Sequence, residues 1–157
     1  YYNGNAVGLC FSIPSGARIN PSLMNIYKEL SNSGYNVKKD GDLSHWKNQG
    51  VFMINTALTV EKNCAGEHLG IWYKFIEKVL EYISDNIDNV CWLLMGSKAL
   101  DMKKHVGNKT HELFITSHPV TYTAYKPLKQ YPAFIGSNVF KKINTFLKKN
   151  GKTKIKW

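Results

Sequence analysis

The stretch Val90-Cys91-Trp92-Leu93-Leu94-Met95-Gly96-Ser97 decides the fold. Its apolar residues run without a polar interruption and stop at a glycine–serine pair. A run of that length suits a strand, and continuous rather than alternating apolar character suits one covered on both faces. Immediately upstream, His68–Ser84 carries Leu69, Trp72, Phe75, Ile76, Val79, Leu80 and Ile83 at helical spacing. Downstream, Leu113–Thr116 reads as a second strand ending at Ser117-His118-Pro119. Two further runs, Val51–Ile54 ending at Asn55 and Gly8–Ile13 near the start, read as strands as well. Asn20-Pro21 opens another helix as N-cap and first-turn proline, with Leu23, Ile26, Tyr27 and Leu30 on one face and Gly34 at its end. Val139, Phe140, Ile143, Phe146 and Leu147 mark a last helix stopped by Asn150-Gly151. Apolar strands separated by amphipathic helices predict an α/β fold, with a mainly parallel sheet covered on both faces.

Composition narrows the function classes. The chain has 157 residues, 43% hydrophobic and 20% charged, which fits one globular domain over 1–157 and excludes intrinsic disorder. No apolar run is long enough for a membrane-spanning helix, and no secretory signal opens the chain. Net charge is +10, and every basic residue except Arg18 is a lysine. After Glu112 there is no acidic residue, while Lys126, Lys129, Lys141, Lys142, Lys148, Lys149, Lys152, Lys154 and Lys156 follow. Such a one-sided field suits a polyanion, because neutralising phosphates releases counterions. Cys10, Cys64 and Cys91 have neither disulfide-framework nor zinc spacing and read as free, buried thiols. An intracellular setting is the expectation, the nucleus if the source is eukaryotic or a virus-infected cell.

In parallel sheets ligands bind beyond the carboxyl ends of the strands. That rule selects Ser12, Asn55, Gly96-Ser97 and Ser117-His118 and predicts that they converge on one crevice. His118 could donate a hydrogen bond to a developing oxyanion or move a proton. Asn55 carries the donor and acceptor needed to read a nucleobase edge. Gly96 allows close backbone approach, and the amides and hydroxyl that follow could hold a phosphate. His45, His105 and His111 read as surface residues. No phosphate-binding P-loop, nucleophile elbow, zinc-protease or dinucleotide motif occurs.

Three segments together resemble the family 1 uracil-DNA glycosylases. Gly8-Leu9-Cys10-Phe11-Ser12 looks like the family's GLCFS segment. Gly41-Asp42-Leu43-Ser44, Trp46, Gln49-Gly50-Val51, Asn55 and Leu58-Thr59-Val60 follow its GDLSxWxxQGVxxxNxxLTV block. Ser117-His118-Pro119 aligns with the start of its HPSPLS loop. The resemblance implies a three-layer α/β/α domain that flips uracil out of single- or double-stranded DNA and hydrolyses its N-glycosidic bond. It implies a monomer that uses no metal and no cofactor and has no membrane role. Phe11 would stack on the flipped uracil, Asn55 would bond its Watson–Crick edge, and His118 would stabilise charge at O2. Ser22, Gly96, Ser97 and the segment Thr121, Tyr122, Thr123 would contact DNA, with Lys126 beside them and Tyr122 in the place of the family's leucine wedge. His68 aligns with a histidine of lesser role.

The resemblance also implies a departure. The family's GQDPYH motif supplies an aspartate that positions the water, and this chain begins at that motif's end, so Tyr1 matches its tyrosine or its histidine. The expectation is therefore an N-terminal part lying outside these residues. The alternative is a catalytically impaired DNA-binding or scaffold module on the same fold. Asp42, within the family's own GDLS, reads as structural.

Overall fold

The computed structural model describes residues 4–107 and 109–157. Helix α1, Pro21–Asn32, begins as its sequence predicts: the Asn20 side chain accepts from the Leu23 amide at 2.9 Å, with proline in the first turn. A one-turn helix α2, Ser44–Lys47, follows. The long amphipathic helix α3, Leu69–Asn86, leads into strand β1, Cys91–Met95. After a short helix α4, Ser97–Leu100, and a 3-10 turn at Lys103–His105 comes strand β2, Glu112–Thr116, and then helix α5, Val139–Lys149. No helix among the described residues is long and apolar enough to cross a membrane.

Strands β1 and β2 pair in parallel, from Cys91 opposite Glu112 to Met95 opposite Thr116. Alternation along each strand divides two cores. Cys91, Leu93, Met95 and Phe114 pack against the buried Leu23, Ile26, Tyr27 and Leu30 of α1 and Phe140 and Ile143 of α5. Trp92, Leu94 and Ile115 pack on the other side against Ile76 and Leu80 of α3, with Met102 and Val106. Helices therefore cover both faces of the strand pair, giving three layers in the order α/β/α.

Two of the four anticipated strands take other forms. Gly8–Ile13 is a turn: Gly8 and Phe11 have φ of 78° and 64°, and the Ser12 amide bonds back to the Leu9 carbonyl at 3.2 Å. Positive φ at two positions cannot sustain a ladder. Val51–Ile54 keeps the side-chain alternation of a strand without the ladder. Val51 and Met53 pack on the α1/α5 core, Ile54 on the α3 core, and Phe52 is exposed. Its Met53 carbonyl accepts from the Cys10 amide at 3.3 Å, which seats the turn against it.

Two polar residues hold long-range joints. Asn144 of α5 is buried and makes a two-point backbone contact with Ile155, donating at 2.9 Å and accepting at 2.8 Å. Glu29 of α1 is fully buried, and its carboxylate accepts from the amides of Gly136 at 2.6 Å and Asn138 at 2.7 Å. That carboxylate caps the turn leading into α5, where Asn138 itself is left-handed at φ 54°. Glu29→Ala leaves two backbone donors without a partner, at about 1–3 kcal/mol each. Urea unfolding should show a loss of about 2–6 kcal/mol, with Glu29→Gln losing less; equal stability of Glu29→Ala and wild type would refute the role.

Candidate active site

The site forms where β1 and β2 end at the same level. The Gly96 amide bonds to the Thr116 carbonyl at 3.0 Å and continues the ladder by one step. Gly96 then takes φ 90° and ψ 171°, a conformation essentially reserved for glycine. A Cβ built there would lie 2.9 Å from the Cβ of His118 and 3.3 Å from its Cδ2. The imidazole thus lies directly over the bare Cα of Gly96.

His118 is half-buried, and that burial lowers its pKa from the ordinary value near 6.5, so the ring is neutral at neutral pH. Its Nδ1 accepts from the Val120 amide at 3.1 Å. A backbone N–H can only donate, so the ring proton sits on Nε2. The Phe11 ring stands 5.7 Å from the imidazole, centroid to centroid, tilted by 51°. Phe11 reaches this place through its left-handed backbone, a strain of about 1–2 kcal/mol for a bulky residue. The amide of Asn55, which is exposed, accepts from the Cys10 thiol at 2.9 Å. Burial pushes that thiol up to about 12, so Cys10 stays protonated and able to donate.

The loop after His118 is tied to α1. Asn25 donates from Nδ2 to the Pro119 carbonyl at 2.7 Å, and Lys28 Nζ meets the Tyr125 hydroxyl at 2.9 Å. Ser22, half-buried, lies one turn before Asn25 on the same helix. Thr123 spends its hydroxyl on the His118 carbonyl at 2.8 Å, shaping the loop from inside. Thr121 and Lys126 are exposed, and Tyr122, 74% exposed, stands out from the loop. Ser97 is exposed at the first turn of α4.

Phe11 and Gly96 thus meet at His118, while Asn55 is joined to them through Cys10, the chain neighbour of Phe11. Ser12 does not join them, contrary to the strand-end expectation: it is fully buried, bonded by the Leu43 amide at 3.0 Å and donating to the Gly41 carbonyl at 3.3 Å. Tyr1 lies outside the described residues. Asp42 accepts from the Ser44 amide at 2.8 Å, and that bonding with Ser44 lowers its pKa, as a structural position requires. His68 Nδ1 meets Thr59 Oγ1 at 2.8 Å, and Thr59 in turn accepts from the Trp72 indole at 2.7 Å.

Two histidines expected at the surface are engaged instead. His105 pairs with Glu81 at 3.1 Å and Glu77 at 3.6 Å and meets Tyr73 at 3.2 Å. These three acid and imidazole groups are the cluster among the described residues whose atoms could share a cation, and they sit on the α3 side, away from His118. His111 accepts from the Val90 amide at 3.1 Å and meets the Ser84 carbonyl at 3.1 Å. His45 is exposed, as expected, and so is Cys64, against the expectation of buried thiols throughout. Sequence reasoning gave no separate role to Asn25 or Cys10. Asn25's signal was its place one turn beyond Ser22 on the helix that faces the histidine loop.

The family described as the Uracil DNA glycosylase superfamily matches residues 2–148. This chain belongs to that superfamily. It is 38% identical to the uracil-DNA glycosylase of Azotobacter vinelandii over 156 residues, covering 98% of this chain and 65% of that protein. It is 41% identical to the uracil-DNA glycosylase of Agrobacterium fabrum, covering 98% of this chain and 62% of that one. The crystal structure of mimivirus uracil-DNA glycosylase superposes with a TM-score of 0.91 at 32% identity, over 98% of this chain and 60% of that one. A variant of the mimivirus protein, solved in complex with UGI, gives a TM-score of 0.90. The chain therefore spans somewhat less than two thirds of the length of these superfamily relatives. The α/β/α layering of the superfamily is the fold seen here.

Two outcomes check the site's geometry. Gly96→Ala should lose at least about 2 kcal/mol of stability, since it combines forbidden backbone with a clash against His118. Histidine-detected NMR should find the His118 midpoint below 6.5. A depressed histidine pKa means the unfolded chain binds the proton first as pH falls. Its contribution to stability is complete above about pH 6.5 and declines as the pH falls toward the folded-state pKa, then levels. A His118→Asn variant lacking this decline is the control, and a midpoint at or above 6.5 would overturn the assignment.

Proposed function

We propose that this chain carries the uracil-recognition and leaving-group side of a DNA repair glycosylase, which flips uracil out of DNA and hydrolyses its N-glycosidic bond. The observation that carries the reading is the orientation of the His118 ring. Its Nδ1 is committed to the Val120 amide, leaving Nε2–H as a donor beside the Phe11 ring. A flipped uracil stacked on Phe11 would present its edge to Asn55, whose acceptor is oriented by the Cys10 thiol. As the C1′–N1 bond breaks, its electron pair moves into the uracil ring and charge grows at O2. A neutral imidazole donor aimed there stabilises that charge without first surrendering a proton. Water adds to C1′ and releases a proton, completing the hydrolysis. Superfamily membership and relatives named uracil-DNA glycosylase support the reading.

The substrate proposed is uracil-containing DNA, single- or double-stranded, bound by a monomer. The exposed Tyr122 would enter the stack left by the extruded base, while Ser22, Ser97, Thr121 and Lys126 would face the flanking phosphates. Thr123, whose hydroxyl donates to the His118 carbonyl at 2.8 Å, would complete that DNA-facing segment.

Uracil release from a labelled oligonucleotide is the decisive assay, run on these residues alone and on a form extended upstream. Release by either form supports the reading. Retained preference for uracil-DNA with no release from either would mean a recognition module in place of an enzyme. Tyr122→Ala should lower excision from duplex DNA by about tenfold or more, as expected for losing a stacking aromatic of about 1–3 kcal/mol. Single-stranded substrate should suffer less. Unchanged duplex excision would remove Tyr122 from the wedge role.

A further inference from the structure

At the opposite end of the strand pair, between β2 and α5, lies a groove of about 850 Å³. Its lining includes Asn89, which precedes β1, and Glu112, which opens β2. Its lining reaches from that end as far as Phe114 in mid-strand and includes neither Gly96 nor His118. A base held at His118 does not occupy it.

The groove is basic and has an aromatic floor. Lys141, Lys142 and Lys149 of α5 and Lys109 from the loop before β2 line it, all exposed, against the single carboxylate of Glu112. Among the described residues none of these four lysines is ion-paired. Lys141, Thr145 and Lys149 follow one another at four-residue intervals, so they rise along one helix face in steps of about 6 Å. That step is comparable to one nucleotide of an extended strand. Phe146, half-buried, belongs to neither core cluster and lines the same groove. A lysine track beside an aromatic face outside the core is the combination by which proteins hold single strands without reading sequence.

We propose that this groove is a second nucleic-acid site, which binds single-stranded backbone independently of uracil and of the His118 end. Lys141 and Lys149, about 12 Å apart along the helix, meet phosphates two nucleotides apart, Lys109 meets a further one, and Phe146 offers a stacking face to a base. It goes beyond the glycosylase reading, because it needs no lesion and no chemistry. Its role would be to retain the protein on exposed strands between encounters at the other end.

The test is fluorescence anisotropy with a labelled, uracil-free oligothymidylate, titrated over a range of salt. Lys141→Glu combined with Lys149→Glu should weaken binding at least tenfold. It should also flatten the slope of log affinity against log salt by roughly 1.4, since a single strand gives about 0.7 per phosphate contact. Phe146→Leu should weaken binding several-fold at every salt concentration without changing the slope, because a stacking contact is not ionic. Thermal melts establish that the variants are folded. Binding unchanged in the folded double variant would overturn the proposal. So would equal affinity for poly-glutamate, which would mark a generic cation surface. Uracil release from a hexanucleotide, measured with the catalytically competent form, should be unaffected by the double substitution. Failure of wild type in that assay would count against the glycosylase reading and leave the anisotropy result standing.

Discussion

The contact between the bare Cα of Gly96 and the imidazole of His118 is the constraint from which the rest of the site follows. It exists because β1 and β2 end in register, with Met95 opposite Thr116. A one-residue slip would exchange the core-facing sides of β2 and carry His118 away from Gly96, since successive side chains on a strand face opposite layers. The register is held from both sides, by α1 and α5 on one face and α3 on the other. The two hydrophobic cores therefore do more than stabilise the fold. They fix the level at which a glycine and a histidine meet.

Around that contact the chain concentrates features that cost stability. Phe11 accepts a left-handed backbone and Gly96 a conformation closed to side chains. Local strain of this kind persists only where surrounding structure over-determines it. Here the surroundings are identifiable. The turn carrying Phe11 is seated by the Cys10–Met53 backbone bond, and the loop carrying His118 is tied to α1 through Asn25. Apart from the exposed Lys28–Tyr125 contact these ties join uncharged groups, so the site acquires its donor without a buried charge.

The helices were readable because amphipathic periodicity is a property of the local sequence; α1, α3 and α5 lie where their apolar stripes place them. The pair β1 and β2 was readable because both strands are apolar on two faces. Gly8–Ile13 was misread as a strand because hydrophobicity carries no information about the sign of φ, and a phenylalanine in the left-handed region is too rare to expect. Val51–Ile54 has the composition and alternation of a strand, but a ladder depends on a neighbouring strand, which composition does not reveal. The strand-end rule selected Gly96 and His118, which the structure brings together, and also Ser12, which the loop at Gly41–Leu43 draws inward. His105 and His111 show the same limit: their carboxylate and carbonyl partners come from α3, far away in sequence.

The three thiols have a practical consequence. Burial pushes Cys10 and Cys91 up to about 12, while Cys64 is exposed in the turn closed by the Glu61–Cys64 bridge. Alkylating reagents need access to a sulfur that can ionise, so at neutral pH burial protects Cys10 and Cys91 and leaves the exposed Cys64 as the accessible thiol. The native sequence therefore already contains a selective attachment point for a spin label or fluorophore. It lies in the connection between Asn55 and α3, where a reporter would sense movement of the segment that follows Asn55.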